Sequence, residues 1–102
     1  MPATVVYREK GEKPDGSRYD MVAWEVPVSE DYPQGLKYSF QYMTADGETL
    51  LRYDNTPYHL DVGQHHRHTA DGDIEELAFP GLADLIDDFH TEVNEIYARR
   101  TN

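Results

Sequence analysis

At 102 residues, with a formal net charge of −11 and no cysteine, the chain has the length of one domain with a single modest core. Disulfides and thiolate metal sites are excluded, and no run approaches the ~18 apolar residues of a membrane span. The first residues also lack the apolar stretch of a signal peptide, so a cytoplasmic protein with no membrane partner is expected.

Thr4–Glu9 has strand-forming composition, and Lys13-Pro14-Asp15-Gly16 reads as a turn. Arg18–Val28 follows as a longer strand with Val22, Trp24, Val26 and Val28 on one side. Met21 and Ala23 make its other side partly apolar, which predicts cover on both faces. Pro27 places the end of this strand at an edge or outside the ladder. Leu36, Tyr38, Phe40 and Tyr42 then alternate with Lys37, Ser39, Gln41 and Met43, the period of a half-buried strand. Asp46-Gly47 signals a tight hairpin, with Thr49–Asp54 returning. That register sets Phe40 opposite Tyr53 and Tyr42 opposite Leu51 on the core face. Gln41 then opposes Arg52, and Ser39 opposes Asp54, on the other face.

Thr56-Pro57 interrupts the strand. A connection over Tyr58–Gln64 leads to His65–Thr69, a second hairpin signal at Asp71-Gly72, and a return over Ile74–Phe79. A two-residue loop there sets His68 opposite Glu75 and His66 opposite Leu77. His66 and His68 then share one face, and His65 and Arg67 the other. After Pro80-Gly81, the residues Leu82, Leu85, Ile86, Phe89, Val93, Ile96 and Tyr97 trace one stripe of a helix over Leu82–Arg99. Asp84, Asp87 and Asp88 near its start and Arg99 and Arg100 at its end suit the helix dipole. His90 is expected at a solvent-facing position. The order predicts one α+β domain over residues 1–102: an antiparallel sheet of five to six strands with the C-terminal amphipathic helix packed on one face.

Arg52–His68 concentrates chemistry. It holds four of the five histidines, two arginines, two aspartates and two tyrosines. Cleavage of RNA through its 2′-hydroxyl needs a base, an acid for the leaving 5′-oxygen, and a cation for the developing charge. Histidine serves as base or acid near neutral pH, and arginine makes a bidentate contact to phosphate. His66 and His68 are therefore the candidate base and acid, Arg52 the phosphate clamp, Asp54 the orienting carboxylate, and His59 a further catalytic group. Tyr53, Asn55, Tyr58, His65 and Arg67 are candidate substrate contacts, the tyrosines by stacking on bases. Two other readings stand beside this one. Arg52–Asp54 can be a structural ion pair, or the histidines can hold a metal with His59 or Asp61 as third ligand. No spacing matches a zinc motif, so neither metal nor cofactor is expected.

Net charge decides little about partners. Asp outnumbers Glu and lysine is confined to Lys10, Lys13 and Lys37, a halophile-like pattern. At molar salt the Debye length is about 3 Å, so distant acidic residues hardly repel a phosphate.

The segment RYDN, then Thr56, Pro57, Tyr58 and His59, then a spacer and His65-His66-Arg67-His68, a closing strand and a final helix, resembles the TumE-type toxin family of prokaryotic toxin–antitoxin modules. The resemblance covers about residues 36–100. The matching positions are Arg52, Tyr53, Asp54, Asn55, Pro57, His59, His65, His66 and His68. Tyr58 stands where a histidine is expected and Arg67 where a lysine is expected. What the resemblance implies is a toxin neutralised by an antitoxin protein. With the residues above, it leads to a metal-independent ribonuclease acting on RNA, with a homodimer as a further expectation. The alternative is a non-catalytic binding or adaptor domain that grips a protein or a metal through the same histidines.

Overall fold

Strict alternation in the middle of the chain sets the sheet. The computed structural model describes residues 3–57 and 63–101. Six strands form one antiparallel meander in chain order: β1 (Thr4–Glu12), β2 (Arg18–Glu25), β3 (Leu36–Met43), β4 (Thr49–Asp54), β5 (His66–Thr69) and β6 (Ile74–Glu76). The helix α1 (Leu82–Thr101) follows and packs on one face, giving the α+β architecture expected from the sequence. Tyr58, His59 and Asp61 lie outside the described residues. Among the described residues, no helix is long and apolar enough to cross a membrane.

The core forms where the apolar side of the sheet meets the stripe of α1. Tyr38, Phe40 and Tyr42 of β3, with Leu51 and Tyr53 of β4, are buried against Leu85, Phe89 and Val93. Phe89 is the hub, edge-on to Phe40 at 5.6 Å and to Tyr53 at 5.0 Å. This is the helix-to-sheet pairing that the two periodicities predict. On β2, burial falls on Met21 and Ala23 and not on the Val22 and Trp24 side. The expectation of cover on both faces is corrected: the helix lies over the Met21 side, and Val28, beyond the strand, is 75% exposed. Pro27 does lie outside the ladder. His90 is only partly solvent-facing, at 31% exposure. Its Nε2 lies 2.7 Å from Glu9 Oε1, and its ring stands edge-on to Tyr19, so it ties α1 to β1 and β2.

Turn chemistry explains where the predicted registers hold and where they slip. The hairpins at Gly16, Gly47 and Gly72 share one design. In each, the glycine N–H donates to the carbonyl three residues back, and that earlier residue's N–H donates to the residue after the glycine. The loops are therefore three residues long, Pro14-Asp15-Gly16, Ala45-Asp46-Gly47 and Ala70-Asp71-Gly72. Each closes on a glycine with φ of 86°, 91° and 86° respectively, a turn type in which the last loop residue is left-handed. A three-residue loop moves the pairing by one position from the two-residue reading. In β3–β4 an irregularity between Tyr42 and Met43 absorbs the shift, so the predicted pairs Phe40–Tyr53, Gln41–Arg52 and Ser39–Asp54 all occur. No such irregularity interrupts β5–β6, and the predicted pairs are corrected to His68–Ile74, Arg67–Glu75 and His66–Glu76.

Phe40 is fully buried between Tyr38, Tyr7 and Phe89. Phe40→Ala should lower the stability by roughly 3–5 kcal/mol, measured by denaturant melts. A loss under about 1 kcal/mol would mean that the ring is not at the centre of the core.

Candidate functional site

Asp54 ends β4 on the face away from α1, and β5 lies beside it in antiparallel register, with Arg52 opposite His68 and Asp54 opposite His66. Directly opposed residues project from the same face. Arg52, Asp54, His66 and His68 therefore converge: alternation predicts the shared face of each pair, and the β4–β5 register brings the two pairs together. The carboxylate is the centre. Arg52 Nε lies 2.8 Å from Asp54 Oδ2, His68 Nε2 lies 3.4 Å from the same oxygen, and His66 Nδ1 lies 3.2 Å from Oδ1.

Depth grades the four. The side chains of His66 and Asp54 are 0% and 2% exposed, against 19% for His68 and 38% for Arg52. His66 Nε2 donates to the Gly63 carbonyl at 2.6 Å, so both of its ring nitrogens are engaged. The outer pair, Arg52 and His68, is the part of the cluster that meets solvent.

Three predicted substrate contacts have other employment. Tyr53 lies in the core at 2% exposure with its ring against Phe89, so no base can stack on it. Asn55 is fully buried: its Oδ1 accepts from Tyr38 N at 3.0 Å and its Nδ2 donates to the Leu36 carbonyl at 2.7 Å. Its amide thus continues the β3–β4 ladder where the chain turns away at Thr56 and Pro57. Arg67 points to the helix side, opposite to Arg52. Its Nε donates to Glu92 at 2.9 Å, one terminal nitrogen donates to Glu92 at 2.5 Å, and the other to Glu75. The Tyr53 hydroxyl donates to Glu92 as well. Burial works to raise the Glu92 pKa, but the bonds from Arg67 and Tyr53 outweigh it and hold the carboxyl below its usual range. Glu92 is the residue that the sequence reading missed. A carboxylate between Phe89 and Val93, at the border of the apolar stripe, is the signal that it has a buried cation to meet.

His65 is 7% exposed, stacked on Phe79 at 4.5 Å and parallel to Tyr38 at 5.7 Å. Its Nδ1 lies 2.8 Å from the Tyr38 hydroxyl. Burial first, and then the neighbouring His66, lower its proton affinity. The neutral ring accepts the phenolic hydrogen at Nδ1 and is a packing element of the helix side rather than a surface contact. His59 and Tyr58 fall outside the described residues.

One ligand atom each from Asp54, His66 and His68 lies within 4.8 Å of the others, a donor set of the kind that holds zinc or another imidazole-loving ion. Two contacts compete with an ion for the carboxylate: the Arg52 guanidinium on Oδ2 and the His66 ring on Oδ1.

A family model described as Toxin TumE matches residues 3–97. The match includes β1 and β2, so it extends well ahead of residue 36, where the resemblance read from the motifs begins. No curated protein and no solved structure matches the chain.

Because Arg52 already supplies the cation on Asp54, chelation should leave the melting temperature unchanged and added zinc should release no protons. Zinc or nickel found at one equivalent in untagged protein would reverse that expectation. A second outcome concerns His65. A base whose folded pKa lies below its unfolded value of about 6.5 contributes stability fully above that pH and loses it as the pH falls below. Stability in denaturant should therefore decline below about pH 6.5. His65→Phe, which keeps the stacking, should flatten that decline; an unchanged slope in the variant would refute the assignment.

Proposed function

Since the chain belongs to the TumE toxin family, we propose that it acts on RNA as a ribonuclease, with the reacting phosphate held on the Arg52 and His68 side of the sheet. The observation that carries this reading is the graded cluster itself: a buried carboxylate, Asp54, holds an arginine and a histidine at the surface. An antitoxin protein that covers this face is the partner that neutralises it.

The chemistry divides the predicted roles by depth. Arg52 presents its planar fork to two phosphate oxygens and stabilises the charge that develops on them. His68 transfers the proton, as base to the 2′-hydroxyl or as acid to the leaving 5′-oxygen. Attack of the 2′-oxygen on phosphorus then breaks the bond to the 5′-oxygen and leaves a cyclic phosphate. Asp54 orients both groups. His66, engaged at both nitrogens and fully buried, is a positioning residue for Asp54 and not the second proton carrier. Of the described histidines, His65 and His90 face the helix side. His59 is therefore the residue to which the second proton transfer is assigned, on its place in the sequence alone.

The burial of Asp54 and His66 favours a rival in which the cluster is a polar tie between β4 and β5 with no catalytic task. The two readings separate at the surface pair. His68→Ala should remove roughly 10²–10⁴ of the cleavage rate, and the parent's pH–rate profile should be bell-shaped. Arg52→Lys should be impaired because an ammonium cannot reproduce the fork. Both variants should melt near the parent, whereas Asp54→Ala should be destabilised by more than either, because it removes the buried carboxylate that Arg52, His66 and His68 all meet. A folded His68→Ala protein that cuts RNA and arrests growth like the parent sinks the catalytic reading.

A further inference from the structure

The strand registers sort the chain's charges by face. Successive pairs place Arg8, Lys10, Arg18, Lys37 and Arg52 on the side of the sheet away from α1, in rows with Val22, Trp24 and Ser39. Five of the nine Lys and Arg residues thus share one face with only four strand acids, Glu12, Asp20, Asp54 and Glu76, of the twenty in the chain. The strong negative charge is carried elsewhere, on the helix, the loops and the helix side of the sheet. Among the described residues no helix packs on this face. One end of it is apolar: Trp24 sits beside Val5, which is 51% exposed. A hollow of about 460 Å³ lined by Val26, Pro27, Val28, Tyr32 and Lys37 adjoins it. The Lys37 ammonium lies 5.5 Å from the centre of the Trp24 ring.

We propose that the open face of the sheet is the binding surface for single-stranded RNA, with a base stacked on Trp24 of β2 and the strand's phosphates led across Lys37 of β3 to Arg52 of β4. The proposal rests on the ribonuclease reading for its direction, and adds to it the substrate's form and its second anchor point. Two strands of lateral spacing and four residues of rise separate Trp24 from the Arg52 row, about 16 Å, a span that takes more than one nucleotide. A base is recognised by an aromatic face and a phosphate by a cation, and this surface offers both in one line. A stacked base displaces the Lys37 ammonium from the ring and leaves it to pair with the adjoining phosphate. A duplex, whose bases are already stacked, lacks the group that Trp24 would take.

Trp24 is the only tryptophan, so its emission reports on this surface directly. The test is titration with a short 2′-O-methyl RNA strand, which has no nucleophile and is not cut, followed by cleavage of the all-ribose strand of the same sequence. The single strand should quench Trp24 saturably, and the matching duplex should not. Trp24→Ala should weaken binding roughly 5- to 150-fold. Lys37→Gln should lower the slope of log affinity against log salt by about 0.7. On the ribose strand these variants should raise KM and keep kcat, because none of them touches the reacting phosphate. Absent binding by the parent, or Trp24→Ala and Lys37→Gln that bind like the parent, overturns the proposal. Quenching by an antitoxin but not by the strand overturns it too. A parent that binds through Trp24 yet cuts nothing sinks the ribonuclease reading and keeps the surface. Cleavage by Trp24→Ala with the parent's KM does the reverse.

Discussion

The Asp54 carboxylate is the contact on which the far side of the sheet depends. It is 2% exposed, and it meets Arg52 of its own strand and His66 and His68 of the next. Taking a carboxylate out of water costs several kcal/mol unless its lone pairs are met. Here both oxygens are met, by groups drawn from two strands. The arrangement therefore holds β5 against β4 at the place where the chain has just left the sheet and returned. It also sets the outward pair: Arg52 and His68 are held at one oxygen, which limits where either can point.

The opposite face of the same two strands is held by a second carboxylate. Glu92 of α1 receives Arg67 from β5 and the hydroxyl of Tyr53 from β4. Arg67 and His68 are neighbours in the chain, yet one is bound to the helix and the other to Asp54, because a strand sends successive side chains to opposite faces. The four residues of RYDN divide in the same way. Arg52 and Asp54 form the polar cluster, Tyr53 fills the core, and Asn55 replaces a rung of the ladder with its side-chain amide. A contiguous motif thus serves three separate tasks at the end of one strand.

The same alternation limits what net charge says about partners. A value of −11 describes the chain, but a nucleic acid would meet a face, and the faces differ. The registers gather Arg8, Lys10, Arg18, Lys37 and Arg52 on the side that α1 leaves open. Meanwhile Glu9, Glu75 and Glu92 lie on the helix side, where they hold His90 and Arg67.

The sequence by itself determined the element order, the β3–β4 pairs, the core face of β3 and β4, and two same-face pairs, Arg52 with Asp54 and His66 with His68. These follow from periods of two and of 3.6, which act between near neighbours and leave a repeating trace. Only the tertiary structure decided the rest. The β4–β5 register brought the two pairs together. The length of the loop at Gly72 set the β5–β6 register, since Asp-Gly is compatible with loops of two or three residues. The side on which α1 lies chose Met21 and Ala23 over Val22 and Trp24 for burial, because β2 is apolar on both. Depth separated His66 from His68 and took Tyr53, Asn55 and His65 away from the surface. Alternation tells which face a residue is on. What covers that face is settled by segments distant in the chain, and burial follows from the cover.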